Sequence, residues 1–254
     1  MIIYTVITNK NCPIPEQVFV DYRFKYICFH SVDIEKKHPW TYIKIKNENN
    51  PYYTYNKYKI LCPFKQSILI DGKNILTKHF YDNYEKILQY DIALNSEGTR
   101  FGFLDEIVDW LLMPVISYEE AIDYIIDVKN MGYPFHEGRG YLTSFLYRNN
   151  VDDFNKTWWS HWLKFKKRNQ LSFYLAEYFE NKKVYIDDTL FVITTQHQPS
   201  MWNDVVLKHK NIVKLRNFKN DLFQLGIEYE FKKDAVLFRN TPLEVLEKNN
   251  DISS

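Results

Sequence analysis

The sequence predicts an α/β fold built on a mixed, mostly parallel sheet flanked by helices, with a helix-rich C-terminal half. Three observations carry this. Apolar runs of strand length alternate with helical patterns in the first half of the chain, as crossovers between parallel strands require. The early apolar runs end in polar residues, and the longest helical patterns fall after residue 100. A chain of 254 residues with 45% hydrophobic and 26% charged residues matches globular composition and is long enough for a core that needs no disulfides.

Taken in order, strands are expected over residues 2–8, 25–31, 40–45 and 67–71. Pro13-Ile14-Pro15-Glu16 suits a loop, and residues 55–61 read as a short helix stopped by Pro63. A helix over 77–88 leads to a strand at 91–95, and amphipathic helices follow at 101–112 and 118–131. Gly132-Tyr133-Pro134 marks a turn, 142–148 a strand, 151–170 a tryptophan-rich helix pair and 170–181 a further helix. Strands are expected at 184–186 and 190–194, then a basic stretch at 208–219 and a β-prone tail at 227–238. No linker or repeat interrupts these elements, so one domain is expected over residues 1–247, with a flexible tail at 248–254.

Composition narrows the function classes. A formal charge of +1 supplies no general field for nucleic acid. Seven glycines are few for a chain that wraps backbone around phosphate, so an anion site would rely on side chains and a cation. Cys12, Cys28 and Cys62 fit neither a disulfide framework nor a zinc pattern, which points to a reducing compartment. No apolar stretch approaches the roughly 20 residues of a membrane span. The opening Met1-Ile2-Ile3-Tyr4-Thr5-Val6 lacks a basic leader, so a cytoplasmic location is expected.

In open α/β sheets, ligands sit at the carboxyl ends of strands. Ser67-Ile68-Leu69-Ile70-Asp71-Gly72-Lys73-Asn74 places a carboxylate where a buried strand emerges, beside a glycine and a lysine. Read alone, Asp-Gly is ordinary turn punctuation. Read as a site, Asp71 suits a diphosphate whose charge a carboxylate-held Mg²⁺ or Mn²⁺ neutralises.

Further segments occur in the order and spacing of a known family: Tyr4-Thr5-Val6-Ile7, Tyr26-Ile27-Cys28-Phe29, Trp40, Tyr58-Lys59-Ile60-Leu61 and Ile70-Asp71-Gly72-Lys73, then Arg100 with Glu106, and Gly132-Tyr133-Pro134. Arg148, Trp158-Trp159 and Arg168-Asn169-Gln170-Leu171-Ser172-Phe173 complete the series. Over Tyr4 to Phe191 the chain resembles the glycosyltransferase-like domain family of plant mucilage-related, bacterial and viral proteins. The resemblance implies a GT-A-like, Rossmann-type fold. It also implies transfer of a sugar from a nucleotide diphosphate sugar to an acceptor hydroxyl, with a saccharide or polysaccharide as acceptor.

By the same resemblance, Asp71 stands where related enzymes keep an Asp-x-Asp metal motif. Thr5, Lys59, Gly72, Lys73, Arg100, Arg168 and Gln170 would surround the donor. Mn²⁺ or Mg²⁺ would sit on Asp71, with His197 or His209 as a late further ligand. His161, Asn169 and Glu106 are the catalytic candidates, and Trp159 and Arg148 the acceptor contacts. Three positions depart from the family pattern: Lys73 replaces the second carboxylate, Asn169 an aspartate, and His161 an acidic residue. Each residue also has a plainer reading. Trp158 and Trp162 suit a core, His161 a helix packed beside tryptophans, His197 and His209 a surface, and Arg100, Lys59 and Arg148 exposed loop positions. Two alternatives stay open: a DNA-modifying glycosyltransferase, which the net charge disfavours, and a non-catalytic carbohydrate-binding scaffold, which Lys73 and Asn169 favour.

Overall fold

The computed structural model describes residues 1–12, 14–97, 102–112, 115–135, 140–166, 169–194 and 209–229. Its elements run β1 (Ile2–Ile7), β2 (Lys25–His30), β3 (Thr41–Lys44), α1 (Pro51–Leu61), β4 (Gln66–Ile70), β5 (Asn74–Leu76), α2 (Lys78–Ile87) and β6 (Ile92–Glu97). They continue with α3 (Phe103–Leu112), α4 (Tyr118–Asn130), β7 (Gly140–Asn149), α5 (Asp152–Phe165), α6 (Asn169–Glu180), β8 (Val184–Asp187), β9 (Val192–Thr194) and α7 (His209–Gln224). The chain gathers into two compact units, residues 1–96 with 141–197 and residues 97–140 with 198–254. A one-domain reading of residues 1–247 covers both, and the tail at 248–254 lies outside the described residues.

The first unit holds a seven-stranded sheet in the order β3-β2-β1-β4-β7-β6-β8. β1 lies parallel to both β2 and β4, β2 parallel to β3, and β6 parallel to β8, while β7 runs antiparallel to β4. The sheet is therefore mostly parallel, as expected. Chain order first builds outward from β1 through β2 to β3, then crosses back to place β4 on the other side of β1. The gap between the carboxyl ends of β1 and β4 is thus a topological switch point, the place where such sheets bind ligands.

Side chains alternate across the sheet. Ile3, Ile7, Ile68 and Ile70 face one core, with Phe80 of α2, Phe145 and Tyr147 of β7, and Phe191. Phe145 and Phe191 pack with ring centroids 4.6 Å apart. On the opposite face the Tyr4 hydroxyl, fully buried, donates to the carbonyl of Tyr58 on α1 at 3.3 Å.

Several elements differ from expectation for local reasons. α1 begins four residues earlier than the expected 55, because the Asn50 side chain caps it by accepting from Tyr53 N at 2.8 Å and Pro51 suits the first turn. The expected helix pair at 151–170 is one helix ending at Phe165, where Lys166 adopts left-handed φ 50°. β5 escaped notice at three residues. It pairs antiparallel with β9 and is pinned by Gln17, whose amide donates to Asn74 O and accepts from Leu76 N. The basic stretch at 208–219 forms most of α7. Residues 227–229 are not a strand, and residues 230–238 lie outside the described residues.

α5 and α6 pack as an aromatic pair. Trp158 is fully buried; its indole donates to Asn169 O at 2.8 Å and Ser172 Oγ at 3.1 Å, and its ring meets Phe173 edge-on at 5.1 Å. In the second unit, α4 opens with a capping box between Ser117 and Glu120. Tyr118 donates to Asp221 of α7 at 2.5 Å, and Lys214 of α7 donates to Leu111 O at 2.9 Å. Among the described residues no helix is long and apolar enough to cross a membrane.

Candidate active site

β4 ends at Ile70, but the backbone stays tied to the sheet for one more residue. Asp71 N donates to Ser144 O of β7 at 2.8 Å, and Asn74 N closes a turn on Asp71 O at 2.9 Å. The Asp71 side chain thus leaves the sheet at the switch point, on the face that α1 covers. Residues four apart on a helix share a face, so Tyr55 and Lys59 of α1 both reach it. The Tyr55 hydroxyl donates to Asp71 Oδ1 at 2.5 Å. Lys59 Nζ lies 3.4 Å from the same oxygen and 3.3 Å from the Tyr55 hydroxyl.

Burial sets the electrostatics. The Lys59 side chain is 3% exposed and that of Asp71 23%. Burial depresses the Lys59 ammonium below its ordinary value, and the Asp71 charge partly restores it. Burial, then the Asp71 charge, drive the Tyr55 phenol well above its usual range, so it donates as a neutral hydroxyl. Cys12 joins this neighbourhood: burial and then Asp71 raise its thiol, while Lys73 opposes them.

Gly72 sits against the core. A Cβ there would lie 2.1 Å from Ile7 Cδ1, and Ile7 is buried in the core. Lys73, half-buried, follows in the same turn. A second polar group adjoins through β7. Thr143 donates to Asn169 Oδ1 at 3.0 Å, and Asn169 Nδ2 donates to Asn56 Oδ1 of α1 at 2.8 Å. Asn169 therefore links the start of α6 to α1 and to the residue beside Ser144. Gln170 donates to Tyr141 O at 3.2 Å.

Other expected site residues are placed elsewhere. Arg148 is fully buried and donates to Ile60 O at 2.8 Å, Lys59 O at 2.7 Å, Asn155 Oδ1 at 3.0 Å and the Tyr4 hydroxyl. It clamps the end of α1 to the sheet and cannot meet an acceptor. Thr5 is also fully buried, on the Ile3 and Ile7 face opposite Asp71, with Oγ1 lacking a partner; that position removes it from the donor contacts.

His161 stacks on Phe179 of α6, with centroids 5.7 Å apart and planes at 19°. Burial and then the Lys164 charge hold it below the ordinary imidazole value. The ring packs α5 against α6, and nothing described joins it to Asp71. Glu106 belongs to the second unit, where it is buried and accepts from the Trp110 indole at 2.8 Å. Trp159, half-buried, stacks on Trp162 at 4.8 Å and meets Tyr53 of α1 at 5.3 Å. Arg100, Arg168 and His197 lie outside the described residues, and of His209 only its backbone place at the start of α7 is described.

Asp71 Oδ1 already accepts from a phenol and faces an ammonium. Among the described residues no three His, Cys, Asp or Glu cluster to hold a metal. Sequence reasoning missed Tyr55, Asn56, Thr143 and Cys12. The spacing of Tyr55 and Lys59 on one helix face was the available signal for the first.

Fold and site together define a mostly parallel α/β protein with a charged cluster at the carboxyl end of its central strand. No family model matches the sequence and no curated protein matches it, so the family resemblance drawn from its motifs is not shown. Among solved structures the chain is similar to S. aureus TarS at 10% identity, covering 88% of this chain and 44% of that one, with TM-score 0.41. The chain thus spans less than half the length of that protein. A 1–349 form of TarS gives 11% identity over 100% of this chain and 78% of that one, with TM-score 0.41. Mouse xyloside xylosyltransferase 1 in its apo form gives 9% identity over 92% and 95%, with TM-score 0.40.

Proposed function

We propose that the chain is a glycosyltransferase that moves a sugar from a nucleotide diphosphate sugar to a hydroxyl of a saccharide acceptor. The observation that carries this is the Asp71 cluster at the switch point between β1 and β4. In this reading the donor diphosphate lies over Asp71-Gly72-Lys73. Lys73 offers it positive charge.

As the bond from the anomeric carbon to the β-phosphate oxygen breaks, negative charge gathers on the departing diphosphate. The acceptor oxygen bonds to the anomeric carbon and releases its proton to a base. Fixed positive charge next to the leaving group is worth most when it needs no rearrangement, and the buried Lys59 ammonium, held by Asp71 and Tyr55, is such a charge. Trp159, backed by Trp162 and Tyr53, supplies a flat apolar surface of the kind that sugar C–H faces stack on.

Thermal melts with a panel of nucleoside diphosphates test the reading, since a ligand of the native state raises its stability. At least one nucleotide should raise the melting temperature of the native chain and leave Asp71→Asn unmoved. A panel without any response would reject it.

A further inference from the structure

We propose that the chain carries a second saccharide-binding cleft, away from the Asp71 cluster, between α2 and the stretch that leads into β2, and that its ligand is a short run of an uncharged glycan. α1 and α2 cover opposite faces of the sheet, and the cleft lies on the α2 side, so donor binding at Asp71 is not required for it.

Shape is the first ground. The cleft holds about 710 Å³ and is lined by Phe19, Tyr22 and Tyr81 together with Asp21, Arg23, Lys78 and Asp82. Its walls are fixed. Phe24 is buried, and its ring packs on Phe80, Tyr81 and Tyr84 of α2. Tyr81 donates to Phe19 O at 2.9 Å, and Asp21 N donates to the Tyr26 hydroxyl of β2 at 3.1 Å. Against this frame Tyr22 is 83% exposed and Phe19 41%. Flat aromatic surface held open to water suits the C–H face of a pyranose, and a preformed wall keeps the ordering cost of binding low.

Charge is the second ground. Asp21 pairs with Arg23 at 2.6 Å and Lys78 with Asp82 at 2.7 Å, so the four charges lining the cleft cancel. A polyanion would meet two carboxylates here, and a polycation two basic groups. Both pairs stay open to water. An apolar partner laid over them would strip that water without replacing its hydrogen bonds. A sugar hydroxyl replaces them, because it donates to a carboxylate and accepts from a guanidinium or an ammonium. Arg23 directs Nε and Nη2 to Asp21 and Nη1 to Tyr84, and each amino nitrogen keeps a second N–H for such a hydroxyl.

Titration of the full chain with neutral xylo-, cello-, malto- and chito-oligosaccharides, followed by NMR, tests this without any transfer assay. At least one series should bind. Tyr22→Ala should weaken that binding by about tenfold while keeping the native melting temperature, since the ring is at the surface. Asp82→Asn, also at the surface, is the second variant and should weaken it by a few fold. Trp159→Ala should leave the affinity unchanged. No binding by any series would overturn the proposal, as would binding that Trp159→Ala removes and Tyr22→Ala leaves alone. Tighter binding of a sulfated oligosaccharide at the same residues would refute the uncharged ligand. A native dimer in sedimentation that Tyr22→Ala dissociates would also overturn it, by making this face an interface between copies of the chain.

Discussion

The phenol of Tyr55 donates to Oδ1 of Asp71 at 2.5 Å across the space between α1 and the end of β4. A hydrogen bond to a charged acceptor contributes about 1.5–3 kcal/mol. Tyr55→Phe keeps the ring and deletes that bond together with the one the hydroxyl accepts from Lys59 Nζ. It should lower unfolding free energy by about 1–2 kcal/mol and weaken nucleotide binding by a few fold, as urea titration and ligand titration would report.

Asp71→Asn strips the buried Lys59 ammonium of its counter-charge. Breaking a buried pair costs about 3–5 kcal/mol, less where one partner is partly exposed as Asp71 is, so a loss of about 2 kcal/mol is expected. Donor turnover should fall by about a hundredfold or more. Steady-state kinetics with the responding nucleotide sugar would check this; unaltered turnover contradicts the assignment of Asp71.

Gly72→Ala drives a methyl to within 2.1 Å of Ile7 Cδ1, and Ile7 is 1% exposed. Overpacking of this sort costs about 1–3 kcal/mol. A second change, Ile7→Val, removes the colliding methyl and should recover part of the melting temperature lost by Gly72→Ala.

Arg148→Met leaves two backbone carbonyls, Asn155 and the Tyr4 hydroxyl without their donor in a fully buried site. The expected loss is about 3 kcal/mol by denaturant titration. At temperatures where the variant stays folded, its KM for an acceptor should match that of the native chain, which an acceptor-contacting arginine would not allow.

Asp187 gives the protein an acid-side dependence. Burial pushes its carboxyl up, but hydrogen bonds from Thr189 and His79 outweigh burial and bring it below the ordinary 3.8. A depressed carboxyl contributes stability that is fully present above its unfolded value and is lost as pH falls through the folded one. The urea midpoint should therefore drop as pH falls below about 4, and Asp187→Asn should flatten that drop.

How far the molecule could be read from its residues varies by element. β1, β2 and β4 are continuous apolar runs because neighbours cover them on both faces, and such runs stand out. β5 is too short to show a period and exists because β9 and Gln17 hold it. α1 starts at Asn50-Pro51, a cap signal that its tyrosine-rich sequence obscured. Within the site, Asp71 was legible as a carboxylate ending a buried strand. Tyr55 was not, since 20 tyrosines make a single hydroxyl inconspicuous. Arg148 and His161 show the limit: residue type does not tell whether a polar side chain faces a ligand or a neighbouring helix, and here Arg148 meets α1 and His161 stacks on Phe179 of α6.

Arg148 binds the last carbonyls of α1 to a strand two places from β1, so the helix carrying Tyr55 and Lys59 has little freedom to slide against the sheet. A nucleotide would consequently meet a floor already assembled, and the ordering cost of association would fall mainly on the ligand. Variants of that floor should then differ in how long a bound nucleotide resides more than in how fast it arrives.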